Sequence, residues 1–554
     1  MRATQALLYT PTVLRSARIQ ALLIVAVVCA VLAPSLGSGF VWDDARTVLN
    51  RPVMSDPANV PGFFISNIKS GLAETDGITE GFDLYRPMFL TALVGGWAVF
   101  GGPWAPGFHA LCLLFHLAAT LMVFVLARRW LPSGRDGPGP ASAALVFGLH
   151  PVTSEAYLFV AALAEPMAAF GLLLAVWILD VIAEREADGD ASKTPLLLGA
   201  SFAAMLFGLF SKESPLLLLP VMSLWLVARG LRPSRLVPAW IAAGIFLVMR
   251  ASAVGGLGAA GNDSGQRIEA LRRLPLLLMD GLRASVTLTP RGLRHLGYEW
   301  ATVSTGVVAA CAVGVVAVTA GAVLLRRRAP LVTLFVFALG SCLLPVAMVT
   351  TVPDWGGFGR YLYAPWAVGA MALVGGLSAG LSRLDEARPG IARRTGVFIV
   401  VLYGGLVILG ARESVQDWSS PEALAESGIR HAPEVGVHWA WLADARQEEG
   451  RLQEAEQLYL EAVARTPEYD PAWIHLAAAQ LGMGRCAPAL ETVARKEQVN
   501  APGPRSNLIK ALCLVELGRY DEADVVIEDT LAKVPTHPDF KRLQGELAAI
   551  RAAR

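Results

Sequence analysis

About eleven apolar segments, most of them close to the roughly 20 residues that carry a helix across a bilayer, follow one another between residues 19 and 411. Within lipid each of them must satisfy its own backbone N–H and C=O groups, and a helix does so inside one segment. The expected fold is therefore all-α and polytopic over 1–411. Composition agrees, with 54% hydrophobic against 17% charged residues.

Arginine sets the orientation. The first span, 19–37 (IQALLIVAVVCAVLAPSLG), follows Arg2, Arg15 and Arg18 with no acidic residue before it, which puts the N-terminus in the cytoplasm. Its length and the spans after it favour an uncleaved anchor over a signal peptide. The next loop, 39–86, faces outward and carries Asp43, Asp44, Asp56, Glu74, Asp76, Glu80 and Asp83. The apolar stretch 88–100 is short and ends in Gly101-Gly102-Pro103, so it is expected to lie along the outer interface. Further spans are expected at 107–127, at 140–182 as two segments broken by HPVTSEA, and at 195–210, 214–228, 236–252, 302–325, 331–349, 362–381 and 396–411. Arg128, Arg129, Arg135, Arg229, Arg232, Arg235, Arg326 to Arg328, Arg383, Arg388, Arg393 and Arg394 then fall on the inside. A Gly-rich outer region, 253–300, contains an amphipathic or partly buried stretch near 274–289.

Past residue 412 the pattern becomes charged, alanine-rich and helical with a period of 34: Gly450, Gly484 and Gly518, Ala455, Ala489 and Ala523, and Trp439 with Trp473. This is the tetratricopeptide pattern, in which small residues let paired helices approach. It gives a linker at 412–435, repeats at 436–469, 470–503 and 504–537, and a capping helix, completing an α-solenoid over 436–554. Ser419, Ser420 and Pro421 make a helix start in the linker.

Net charge is +1, and no basic run is interleaved with aromatics, so nothing suggests nucleic acid. Six cysteines show no metal-binding spacing, and Cys486 and Cys513 read as small core residues in preference to a disulfide pair.

With that topology, five polar clusters share the outer face: Asp43-Asp44, Tyr85-Arg86-Pro87, His150 to Glu155 with Glu165 nearby, Ser211-Lys212-Glu213, and Arg360-Tyr361-Leu362-Tyr363. Charges scattered at random would not gather on one side, so they mark a site open to the outer half of the membrane. Arg360 and Lys212 supply fixed positive charge suited to a phosphate. Each also has a plainer role, Lys212 as an interfacial lysine and Arg360 in a Tyr-Arg belt. His150 and Glu155 either position a substrate or bridge the apex. Glu165 needs a partner such as Arg86 or Arg360, and Arg86 is equally a loop anchor.

In order, WDD, YRP, HPxxxE, SKE and xRYLYxP followed by the repeats resemble the TMTC-type protein O-mannosyltransferases, which have the GT-C glycosyltransferase fold. The resemblance covers nearly the whole chain, with two departures. AALAEPM has Leu163 where the family has arginine, and the family's xERYLYLP reads FGRYLYAP here.

The resemblance implies an inverting hexosyltransferase that takes a polyprenyl-phosphate sugar, mannose or similar, as donor and a protein hydroxyl as acceptor. Asp43 or Asp44 becomes the general base; the plainer alternative is that one of the two only orients the loop through hydrogen bonds to backbone. Arg360, Lys212 and Arg86 bind the donor phosphate; His150, Glu155, Glu165, Glu213, Tyr361 and Tyr363 position substrates. No cofactor is assigned; a divalent cation on the Asp43-Asp44 pair stays open, with no third ligand evident. The repeats, outside the membrane, hold the acceptor polypeptide. Ala, Arg and Gly usage points to a bacterium, hence to its inner membrane and that membrane's lipid. A glycolipid or polysaccharide acceptor, or a non-enzymatic scaffold anchored by the spans, are the alternatives.

Overall fold

The computed structural model describes residues 16–49, 52–66, 85–132, 137–255, 264–288, 303–349, 359–388 and 390–552. Glu74, Asp76, Glu80 and Asp83 of the first loop, and Arg2, Arg15 and Arg135, lie outside the described residues. Among the described residues every regular element is helical.

The apolar part runs through α1 (Ala17–Leu32), α2 (Pro87–Phe100), α3 (Ala105–Trp130), α4 (Gly139–Leu149), α5 (Ala164–Ala187), α6 (Thr194–Ser211), α7 (Ser214–Ala228), α8 (Val237–Val254), α9 (Ser264–Val286), α10 (Thr305–Leu324), α11 (Pro330–Val349), α12 (Gly359–Ala387) and α13 (Ile391–Asp417). Proline starts many of these helices, because its missing N–H costs nothing in the first turn. Gly101 and Gly255 end α2 and α8 at φ of 72° and 81°, in the left-handed region that closes a helix.

Eight described helices are long and apolar enough to cross a membrane, which makes this an integral membrane protein. The other three expected spans coincide with the shorter apolar helices Gly139–Leu149, Ser214–Ala228 and Pro330–Leu344. The expected interfacial stretch coincides with a fourth, Pro87–Phe100. Burial orders the helices. In α5 the apolar window is 78% buried and in α10 only 6%, so α5 is central and α10 peripheral. Val313 and Val316 on α10, and Phe398 and Val401 on α13, lie exposed, as residues facing hydrocarbon do.

Two regions become definite. The region 253–300 contains a 23-residue helix, α9, with Leu277 and Ala284 buried in the main core. Gly281 lets α9 close onto α11, since a Cβ there would meet Leu343 at 2.8 Å. The last apolar helix continues to Asp417, and the helix start expected at Ser419, Ser420 and Pro421 opens α14 (Pro421–His431), capped by the Ser420 hydroxyl accepting from the Ala423 N–H, so most of the linker is helical.

One end of the bundle is an ion-pair network. Asp180 on α5 accepts from Arg129 on α3 and from Arg229 after α7, Arg129 also reaches Glu184, and Arg235 pairs with Glu186. These arginines are among those placed on the inside by sequence.

After α14 come three helical hairpins at the 34-residue period: α15 (Gly436–Glu448) with α16 (Leu452–Arg465), α17 (Asp470–Gly482) with α18 (Cys486–Val499), and α19 (Pro504–Glu516) with α20 (Tyr520–Lys533). Gly450, Gly484 and Gly518 turn each hairpin at φ of 76°, 71° and 73°, which explains their recurrence. Ala455, Ala489 and Ala523 are fully buried between helices. Phe540, Leu543 and Leu547 of α21 (Pro538–Ala552) cover the last hairpin.

Candidate active site

The end of the bundle away from the Asp180 network gathers the other polar groups. After α1 the chain makes a short 3-10 turn, Ala33–Gly37, and is pinned at Gly39, whose N–H donates to the Ser419 carbonyl at 2.9 Å and whose carbonyl meets His109 Nε2 at 3.1 Å. Trp42 then takes φ of 47°, a left-handed backbone that costs a bulky residue energy and is kept when its surroundings fix it. The turn sends the two aspartates to different places. Asp44 is fully buried and accepts from the Val41 N–H at 3.1 Å and the Ala161 N–H at 2.7 Å. Burial pushes its carboxyl up to about 7, against the downward pull of those amides. Asp43 is exposed, and its backbone carbonyl accepts from the Thr47 N–H at 2.8 Å.

Three cations lie beside this loop, each held by a carboxylate. Arg86, just before α2, makes a two-pronged contact with Glu213, Nη2 to Oε1 at 2.8 Å and Nε to Oε2 at 3.2 Å. Lys212 follows the last residue of α6 in extended backbone and pairs with Glu165 of α5, both side chains nearly inaccessible. Glu165 thus has Lys212 as its partner, where sequence suggested Arg86 or Arg360, and a lysine this buried is not an interfacial one. Arg360 opens α12. Its backbone N–H donates to Glu155 Oε2 at 3.2 Å, and its guanidinium lies 3.5 Å from Oε1. Gly359 permits this approach, because a Cβ there would sit 3.2 Å from Glu155 Oε2 and 3.3 Å from the Val152 carbonyl.

Aromatic rings tie the cations together. Tyr361 lies between Lys212, with Nζ 4.7 Å from the ring centre, and Arg360, with the guanidinium carbon at 5.4 Å. Trp42 lies 5.7 Å from the same guanidinium. The contacts therefore run from Glu213 and Arg86 through Lys212, Tyr361 and Arg360 to Trp42, the neighbour of Asp43. Burial pulls the Lys212 ammonium below its ordinary range in spite of Glu165, so a further anion would be welcome there. Burial raises the Glu213 carboxyl, but Arg86 and Lys212 outweigh it and bring it to about 2.

Two of the expected residues sit apart. The Tyr363 hydroxyl meets His116 Nδ1 at 2.8 Å in the buried core. His150 is fully buried, its Nδ1 accepts from the Val152 N–H at 3.1 Å, and its ring lies against Trp366. It caps the turn that delivers Glu155. Among the described residues no three His, Cys, Asp or Glu side chains are grouped to hold a metal ion. Sequence reasoning missed Trp42 and Phe159 as members of the cluster, and Trp418 and Trp441 beyond it. The one available signal was that Trp441, unlike Trp439, has no counterpart one repeat later, where His475 stands.

No protein-family model matches the chain. Over 199 residues it is 31% identical to "Protein O-mannosyl-transferase Tmtc2" of Drosophila melanogaster, a stretch that makes up 36% of this chain and only 20% of that relative. The sequence thus resembles a TMTC-type protein, in agreement with the motifs. Among solved structures, that of ArnT from Cupriavidus metallidurans bound to undecaprenyl phosphate aligns with a TM-score of 0.37 at 16% identity, covering 88% of this chain and 82% of that one.

Proposed function

We propose that this chain is a GT-C-type membrane glycosyltransferase that moves a sugar, mannose or similar, from a polyprenyl-phosphate donor to hydroxyl groups of polypeptide outside the cytoplasm, with inversion. The observation that carries the reading is the gathering of Arg86, Lys212 and Arg360, all buried or nearly so, around Tyr361 and next to an exposed aspartate. Cations in such a setting act on a phosphate far more strongly than they would in water. The similarity to a relative named as a protein O-mannosyl-transferase supports the same reaction class.

In this reading Asp43 takes the proton of the acceptor hydroxyl as it attacks the sugar carbon, the bond from that carbon to the phosphate oxygen breaks, and the negative charge left on the phosphate is met by Arg360, Lys212 and Arg86. Asp44 holds the loop. Glu155, Glu165 and Glu213 set the cations in place, and Tyr361 spaces two of them. The three hairpins are tetratricopeptide repeats that hold the acceptor polypeptide. The protein lies in a bacterial cytoplasmic membrane with its N-terminus inside and the repeats outside.

The test compares exported proteins by intact mass with and without this chain, and then with Asp43→Asn. Loss of hexose additions on deletion, and a drop in transfer of about 100-fold or more for Asp43→Asn, is the expected result. Full transfer by Asp43→Asn overturns the assignment of the base; unchanged exported proteins on deletion overturn the activity.

A further inference from the structure

Trp441 departs from the repeat that contains it. Trp439 and Trp473, one period apart, do the same job, each donating its indole N–H to a proline carbonyl, at 3.0 and 2.8 Å. The positions equivalent to 441 are His475 and Ile509, so packing within a hairpin does not require tryptophan there. Its ring packs on Ala432, Val435 and Val437 at the start of the hairpin and also reaches out of it to meet Trp42 at 5.7 Å. Trp42 stacks on Phe159 at 5.2 Å, Phe159 meets Trp418 at 5.7 Å, and the Arg360 guanidinium lies 5.7 Å from Trp42. Trp418 belongs to the main core of the membrane bundle, and Trp42 and Trp441, both partly buried, pack against that core.

The hairpin that supplies Trp441 is itself held firmly. Gly39, three residues before Trp42, is bonded to Ser419, and Arg446 on α15 pairs with Glu422 on α14. His438 packs so closely on α14 that a Cβ at Gly428 would come within 2.2 Å of its ring. The first hairpin and the Asp43 loop therefore meet without an intervening flexible tether. Since Trp42 sits in a left-handed backbone that only its surroundings maintain, what presses on its ring decides where the ring stays.

We infer that Trp441 is a positioning residue of the site: it holds Trp42 over Arg360, and through that contact it joins the acceptor-holding hairpins to the group that meets the donor phosphate. This rests on the reading of Arg360 as a phosphate-binding residue. Removing the indole leaves Trp42 unsupported on one side, so Arg360 loses both a cation–π contact and part of its shield from water.

The experiment measures equilibrium binding of undecaprenyl phosphate to the purified full-length protein in detergent, with a melting curve for every variant. Trp441→Ala is expected to weaken binding about tenfold, as loss of an aromatic pair and its cation contact would. Trp441→Phe should restore it to within about twofold, and Trp473→Ala, in the second hairpin, should leave it unchanged. If Trp441 acts through Trp42, the double variant Trp42→Ala with Trp441→Ala binds no more weakly than Trp42→Ala alone. Unchanged binding by Trp441→Ala, independent addition in the double variant, or a loss that Trp441→Phe does not rescue overturns the inference while leaving the proposed reaction standing. Absence of binding by the unaltered protein overturns the donor reading and this inference with it.

Discussion

At the scale of the residue, the two adjacent aspartates are separated by one backbone angle. A carboxyl raised to about 7 is the usual mark of a catalytic group, and it belongs to Asp44. Geometry points the other way, because Asp44 is sealed off and faces the N–H groups of Val41 and Ala161, whereas Asp43 reaches solvent. A base must reach its substrate, so Asp43 is the better candidate and the raised value reports burial. The sequence offered loop orientation only as the plainer alternative for one of the pair, and identical neighbours carry no sign of which is which until Trp42 takes its positive φ. The sign of the pH effect follows. With a folded value of about 7 above an unfolded value near 4, the native state holds the extra proton between them, so stability falls as pH rises through that interval and is level above it. Asp44→Asn should flatten this slope in melting curves from pH 4 to 8. It should also cost about 1–3 kcal/mol at pH 7, since an amide NH2 then faces a backbone N–H. Asp43→Asn should leave most of the slope in place, since the Asp43 charge is the smallest of the influences that raise Asp44. A slope that survives Asp44→Asn would assign it to another group.

Among elements, the central α5 meets α6 backbone to backbone. A Cβ at Gly171 would lie 2.7 Å from the Ala204 carbonyl and 2.7 Å from the backbone of Gly208, with no flexible side chain to give way. Close approach of this kind is how helices gain packing where lipid removes the hydrophobic drive. The crossing also sets the distance between Glu165, at the start of α5, and Lys212, just past the end of α6. Gly171→Ala should therefore destabilise the protein by about 1–3 kcal/mol in detergent, read as a lowered melting temperature. Gly199→Ala, on the same α6 with open space around it, should be neutral or slightly stabilising. Equal effects from the two would mean that the contact does not hold the crossing. Helix positions were largely legible, because prolines, glycines and arginines punctuate the apolar runs. The partner of Gly171 was not, since a lone glycine in an apolar run names no neighbour. Only the second half of α9 was legible, as the stretch near 274–289, because Arg267, Glu269, Arg272 and Arg273 dilute the hydropathy of its first half.

For the whole molecule, the arginine pattern of the inner loops sufficed to anticipate that Arg86, Glu155, Glu165, Lys212, Glu213 and Arg360 share one end, and the ion pairs Arg86–Glu213, Lys212–Glu165 and Arg360–Glu155 join them there. How the C-terminal hairpins sit was not legible, since Trp441 finds its partner in Trp42 near the other end of the chain and no local pattern records that. The stretch expected as a linker buries Trp418 and Leu424 in the bundle's own core, and Ser419 closes a backbone bond with Gly39. The membrane part is then incomplete without α14 and α15, α17 closes the core of the first hairpin through Ala472, Leu476 and Ala479, and α18 to α21 build their cores further out. A chain ending at Met483, which keeps the first hairpin and the helix α17 that covers it, should melt within a few degrees of the full chain and bind undecaprenyl phosphate within about twofold. A chain ending at Asp417 loses the fully covered Trp418 and the seat of Trp42, a deficit of about 3–5 kcal/mol from the tryptophan alone. It should melt well below the full chain and bind the lipid phosphate poorly. Equal stability and binding of the two shortened chains would show that the hairpins are a detachable arm.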